Sequence, residues 1–173
     1  MLSSELRSSE YNSYYHPYIK ALGGEVLLMD QLVDGRDLFI SFLNDIPSEK
    51  LAFSYAEGKW SLAEVLMHII DAERVFQYRG FRFGRNDKTP LPGFEQDDYV
   101  PESNANQRSK REIAEEYRTV RNASIALFRS FSNETLQRIG IASGSEMSVR
   151  ALGFVICGHQ AHHLKIVRER YLG

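Results

Sequence analysis

Apolar side chains recur at three- and four-residue spacing over four stretches of this chain, separated by polar segments rich in turn residues. The first stretch runs from about Pro17 or Gly24 to Leu43, with Val26, Leu27, Met29, Leu32, Val33, Leu38, Phe39, Phe42 and Leu43 suited to a buried stripe. Gly23-Gly24 kinks it or marks its start. Asn44-Asp45-Ile46-Pro47 ends it, because the residue before a proline is biased away from the right-handed helical region. The second stretch has the clearest start: Ser61-Leu62-Ala63-Glu64 is a capping box. Leu62, Val65, Leu66, Ile69, Val75 and Phe76 follow at helical spacing, to about Arg85. The third runs from about Gln107 to Phe131, and the fourth from about Ser148 to Arg170. Four such segments predict an all-α four-helix bundle formed by one domain over residues 1–173, with strand content close to nil.

The connections refine the topology. Residues 86–106, NDKTPLPGFEQDDYVPESNAN, form a long link between helices two and three with three prolines. Short links join antiparallel neighbours, whereas a long one can cross the bundle between parallel helices. Tyr99 and Asp98 in this link are candidates to roof a site.

Composition narrows the function classes. The 173 residues carry a net charge of −2, from 21 basic and 23 acidic side chains, which gives no field to attract nucleic acid. No stretch approaches the roughly 18 consecutive apolar residues of a membrane span, and the N-terminal MLSSELRSSEYNSYY lacks a signal-peptide apolar core. A cytoplasmic protein is expected. The single cysteine, Cys157, excludes an internal disulfide.

The chemistry is in the histidines. Gly158-His159-Gln160-Ala161-His162-His163 lies in the fourth helix. With His159 at zero on a helical wheel, Leu152 falls at about 20°, Val155 at about −40° and His163 at about 40°, so both imidazoles lie within the apolar face. An i, i+4 histidine pair can place two imidazoles on one metal ion. The zincin HExxH motif is absent. A third ligand is needed, and His68, on the face of helix two shared by Val65, Ala72 and Val75, is the natural candidate. A lone histidine on such a face is ordinarily a hydrogen-bonded core residue. Three together leave several polar nitrogens to satisfy, and a metal would satisfy them at once. Asp71, three residues beyond His68, is a candidate proton acceptor or orienting group, with a salt-bridged surface role as the alternative. Cys157, at about 160° from His159, is a packing residue. Gln160 is expected at the surface, Arg150 in an ion pair, and Trp60 in packing before helix two.

Tyr55-Ala56-Glu57-Gly58-Lys59-Trp60-Ser61, then Glu64-Val65-Leu66-Met67-His68-Ile69-Ile70-Asp71-Ala72-Glu73-Arg74, Leu91-Pro92-Gly93-Phe94, Ser148-Val149-Arg150-Ala151-Leu152 and Gly158-His159-Gln160-Ala161-His162-His163 together resemble the DinB-like superfamily, also called YfiT-like metal-dependent hydrolases. The resemblance spans nearly the whole chain. It implies up-down-down-up topology, a metal triad on His68, His159 and His163, nickel or zinc as the ion, and a homodimer. Phe81 and Phe83 are candidate exposed apolar positions for such a dimer. Members of this family include thiol transferases using bacillithiol or mycothiol, hydrolases and isomerases. The implied function is a metal-dependent transferase or hydrolase for a small electrophile, with a non-catalytic metal-binding stress protein as the alternative.

Overall fold

Four long helices form the frame: α2 (Leu28–Asp45), α3 (Leu62–Gly84), α5 (Lys110–Arg129) and α7 (Val149–Arg170). A computed structural model describes all 173 residues. Three shorter helices accompany the frame: α1 (His16–Ala21), α4 (Gln96–Glu102) and α6 (Asn133–Leu136). Ser61 caps α3 as its sequence predicts: its Oγ accepts the Glu64 N–H at 3.2 Å while Glu64 accepts the Ser61 N–H at 2.6 Å. Ser109 and Glu112 make the same reciprocal cap on α5, and the Ser148 hydroxyl caps α7 by accepting the Ala151 N–H at 3.1 Å.

Side-chain pairings give the helix directions. Between α3 and α5, Arg74 meets Glu116, Glu73 meets Arg121, and Gln77 meets Ser124, so residue numbers rise together and the helices are parallel. Between α2 and α7, Gly35 meets Gln160 and Phe42 lies under Arg168, which is again parallel. Between α2 and α5, Leu32 meets Arg121 whereas Asn44 meets Lys110, which is antiparallel. The topology is therefore up-down-down-up. The parallel α3–α5 step is what requires the long connection, since the chain must travel back along a helix about 34 Å long at 1.5 Å per residue.

Two hydrophobic clusters fill the bundle. One is built around Phe39, Leu43, Leu66, Ile113 and Tyr117. The other is built around Leu32, Phe76, Phe128, Leu152 and Phe154. Between them lies a polar waist. The wholly buried Arg121 (0 % exposed) donates to both Glu73 carboxylate oxygens, at 2.7 and 2.9 Å, and to Gln160 Oε1 at 2.7 Å and the Leu32 carbonyl at 3.2 Å. Gln160 accepts from Tyr117 at 2.5 Å and donates to the Gly35 carbonyl at 2.7 Å. Gln160 is thus not a surface residue. α7 is buried on every side from Val149 to Gln160, so its sequence carries no polar face from which exposure can be read.

A β-hairpin corrects the expectation of negligible strand. β1 (Ile139–Ala142) pairs antiparallel with β2 (Ser145–Ser148) in the register Ile139↔Ser148 to Ala142↔Ser145. The two turn residues, Ser143 (φ 52°) and Gly144 (φ 74°), both adopt positive φ, the requirement of a primed two-residue turn. The hairpin packs its Gly140 against the Phe83 ring, and Leu91 bonds to it through the Ile141 carbonyl at 2.9 Å. Phe83 is therefore buried, at 1 % exposure, and only Phe81 of the two candidate interface residues is open to solvent.

The N-terminal segment also folds onto the bundle. Glu10 is buried and accepts from Arg150 Nε at 2.6 Å and Ser148 Oγ at 2.8 Å, which supplies the ion pair expected of Arg150. α1 crosses α7 at Gly158, where a Cβ would stand 2.0 Å from the Tyr18 carbonyl oxygen. Alanine in a helix interior gains up to about 1 kcal/mol over glycine, but overpacking against backbone costs about 1–3 kcal/mol. Gly158→Ala is expected to lower stability in a urea titration and to shift α1 off α7. An unchanged midpoint would show that α1 does not hold this close approach.

Candidate metal centre

Three imidazoles converge at the polar waist. His68 comes from α3 and His159 and His163 from successive turns of α7, and one ring nitrogen of each lies within 4.8 Å of the others. His68 Nε2 and His159 Nε2 are 3.0 Å apart. Ring centroids are separated by 4.8 Å for His68–His159 and for His68–His163, and by 4.4 Å for His159–His163. The Nε2 contact is the only protein hydrogen bond the three rings make. It can be met by a donor–acceptor tautomer pair or by two lone pairs directed at one cation. Nitrogens about 2.0–2.1 Å from a common tetrahedral zinc ion stand about 3.3 Å apart, close to the one pair at 3.0 Å and inside the 4.8 Å that bounds the three.

Burial sets their charge state. Loss of solvation pushes His68 down to about 4, with the Asp97 carboxylate partly opposing it. Burial, then the neighbouring imidazoles, pushes His163 down to about 3 and His159 well below the ordinary imidazole value. All three are neutral at pH 7, the form that donates a lone pair to a metal. Aromatic rings hold them in place. Trp60 lies 5.0 Å from His68, Tyr18 packs edge-on at 5.1 Å against His159, and Phe76 at 6.0 Å. Trp60 is thus a packing residue, as expected, but against a site imidazole.

Two clefts reach the triad. The larger, about 440 Å³, has His68 and His159 in its floor. Its walls are Tyr15 and Tyr18 from the N-terminal segment, Phe76 and Arg79 from α3, Phe94 to Asp97 from the long connection, and Ser143 from the hairpin. The second, about 330 Å³, opens on His163 between Trp60, Lys59 and Tyr171. Asp97 lines both clefts. No acidic or cysteine side chain joins the three-nitrogen cluster, so the donor set leaves coordination positions facing the clefts.

Other candidates are placed elsewhere. Asp71 is not brought to the imidazoles: its carboxylate accepts from Arg74 at 3.0 Å, and it lines a separate groove with Arg108 and Glu116. Burial raises its pKa while Arg74 opposes the shift. Three residues of helix turn Asp71 about 60° away from His68, toward Arg74 and the groove it shares with Arg108. Asp98 and Tyr99 line that same groove, and it is their neighbours Phe94 to Asp97 that cover the triad. Cys157 is buried, and burial pushes its thiol up to about 12, so it is protonated and unreactive at neutral pH. His162, next to the triad, packs on Tyr18 at 5.2 Å and stays outside the cluster.

A family model for the DinB superfamily matches residues 31–167, which include all three histidines and all of the four frame helices but the first turn of α2 and the last turn of α7. The chain belongs to the DinB superfamily. Among solved structures, YfiT from Bacillus subtilis, a probable metal-dependent hydrolase with an unusual four-helix bundle topology, is similar at TM-score 0.69 and 12 % identity, over 95 % of this chain and 89 % of that one. A mycothiol-dependent maleylpyruvate isomerase is similar at TM-score 0.63 and 9 % identity, over 84 % of this chain and 61 % of that one. At such identities the DinB likeness is one of fold. A search of curated proteins with the sequence finds no match. No helix of this DinB protein is long and apolar enough to cross a membrane.

Proposed function

We propose that this DinB protein is a metal-dependent transferase or hydrolase that attacks a small electrophilic substrate at a centre held by His68, His159 and His163. The observation that carries the reading is the convergence of three neutral imidazoles, His68 and His159 buried in the floor of the larger cleft and the half-buried His163 on the second, with no fourth protein donor. Imidazole ligands suit zinc or nickel. A divalent ion at this centre would supply Lewis acidity, bringing the pKa of a water or thiol that joins it toward neutrality.

The chain's own residues do the rest. The three imidazoles stay neutral and supply lone pairs. Tyr18, Phe76 and Trp60 exclude water from the ring edges and fix the ring planes. Asp97, whose charge acts on His68 and which lines both clefts, is the carboxylate placed to receive a proton from the nucleophile. Two entrances fit a substrate and a separate low-molecular-weight thiol. Thiol use also accords with the mycothiol dependence of the maleylpyruvate isomerase that shares the fold, and hydrolysis with YfiT. A cytoplasmic location, where thiols stay reduced, and a homodimer complete the proposal.

The test is metal analysis of protein purified without a histidine tag, followed by turnover of ester and thiol-acceptor substrates before and after chelation. About one ion per chain, turnover that stops on chelation and turnover that returns with zinc or nickel are expected. Turnover that persists without metal overturns the reading. So does an ion that raises the melting temperature while no substrate is converted, which assigns the centre a structural role.

A further inference from the structure

Three arginines of this chain are buried: Arg79 at 2 % exposure, Arg121 at 0 % and Arg150 at 7 %. A buried guanidinium is costly unless a counter-charge accompanies it. Arg121 has Glu73 and Arg150 has Glu10, each gripping the guanidinium with both carboxylate oxygens. Arg79 has no carboxylate. Its Nη2 donates to two neutral acceptors, the Pro92 carbonyl at 3.1 Å and Ser143 Oγ at 2.9 Å. The rings of Phe76 and Phe94 each lie 5.9 Å from its guanidinium carbon. Among the three, Arg79 alone lines the cleft whose floor is His68 and His159.

The position is built rather than accidental. Two loops that share no local sequence, the long connection and the hairpin turn, each give an oxygen to the same nitrogen. Ser143 reaches it because the primed turn places that residue at φ 52°. The aromatic pair lines the space around the guanidinium. What remains is a desolvated positive charge without a carboxylate partner, lining the cleft that reaches His68 and His159.

We propose that Arg79 is a substrate-binding residue that receives the carboxylate of an anionic small molecule, holding its reactive carbon toward the three-histidine centre. This rests on the proposed function and names the chemical class of its substrate. A singly charged carboxylate suits the site better than a doubly charged phosphate, because Glu95 and Asp97 line the same cleft and repel added negative charge. The aromatic walls, Tyr15, Tyr18, Phe76 and Phe94, favour a planar or apolar body behind the carboxylate.

The probe is 4-fluorobenzoate, followed by fluorine NMR against the protein with zinc added and with zinc removed by chelator. Binding is expected in both states, because the carboxylate is held by Arg79. Arg79→Gln is expected to weaken it by about 10–100-fold, the range for losing a charge-assisted hydrogen bond, with zinc content unchanged. Arg79→Lys is expected to lie between. Unweakened binding to folded Arg79→Gln overturns the proposal. If that variant does not fold, wild-type protein is compared with neutral 4-fluorobenzamide, and equal affinity for the two probes overturns it instead. Displacement of the probe by inorganic phosphate at equal concentration overturns the assignment to carboxylates. Failure of metal dependence leaves the zinc-free titration readable, so the two proposals fail separately.

Discussion

His159→Ala is expected to empty the centre of metal and to abolish turnover. His159 is the hub of the cluster: its Nε2 faces that of His68 at 3.0 Å, and its ring centroid is 4.4 Å from His163. Removing even an outer-shell partner of a metal site costs roughly 10–100-fold in affinity. Deleting a ligand from a set of three is expected to exceed that, with a loss of more than about 100-fold. Competition against a chromophoric chelator reads the affinity, and elemental analysis reads the occupancy. His162→Ala is the matched control, one turn position aside and outside the cluster, and it is expected to keep full metal content. Equal metal loss in both variants would mean that the helix, rather than the ligand set, had been damaged. Full retention in His159→Ala would remove the centre from consideration.

The largest effect on stability is expected from Glu73→Ala. The change leaves the Arg121 guanidinium at 0 % exposure with only Gln160 and the Leu32 carbonyl as acceptors. Removing one member of a buried pair costs about 3–5 kcal/mol, a large share of the roughly 5–15 kcal/mol that holds a domain together. In a chain of this length each kcal/mol moves the melting temperature by about 2–4 °C, so a fall on the order of 10 °C is expected. Thermal melts followed by circular dichroism read it. The double change Glu73→Leu with Arg121→Met is expected to recover most of the loss, because two apolar groups of similar volume leave no uncompensated charge. If the double variant is no more stable than Glu73→Ala, the cost lies in packing of the waist rather than in the orphaned charge.

The waist explains why the imidazoles are so well placed. Gln160 bonds to Tyr117, Arg121 and the Gly35 carbonyl, and thereby ties α7 to α2 and α5 next to His159. Glu73 ties α3 to α5 five residues beyond His68. One network thus fixes the rotation of both helices that carry the three imidazoles.

Sequence by itself determined the four helices, the Ser61 cap and the long crossing, since amphipathic period, a capping box and loop length are local signals. It also put His159 and His163 on one apolar face of α7 and offered His68 as a candidate partner, because i, i+4 spacing is a local signal. Tertiary structure alone decided what depends on residues remote in the chain. Phe83 is buried because Gly140 of a hairpin lies on it, and Gln160 because α7 is surrounded on every side. Asp71 belongs to Arg74 and the neighbouring groove, a choice among partners within about one helical turn that spacing cannot make. Arg79 reads in sequence as one more charge on a helix. Only the meeting of Pro92, Ser143 and two aromatic rings around it makes it a buried cation facing the cleft. Periodicity reports which face of a helix is covered, but a charge's partner is set by chain segments that meet only when the bundle closes.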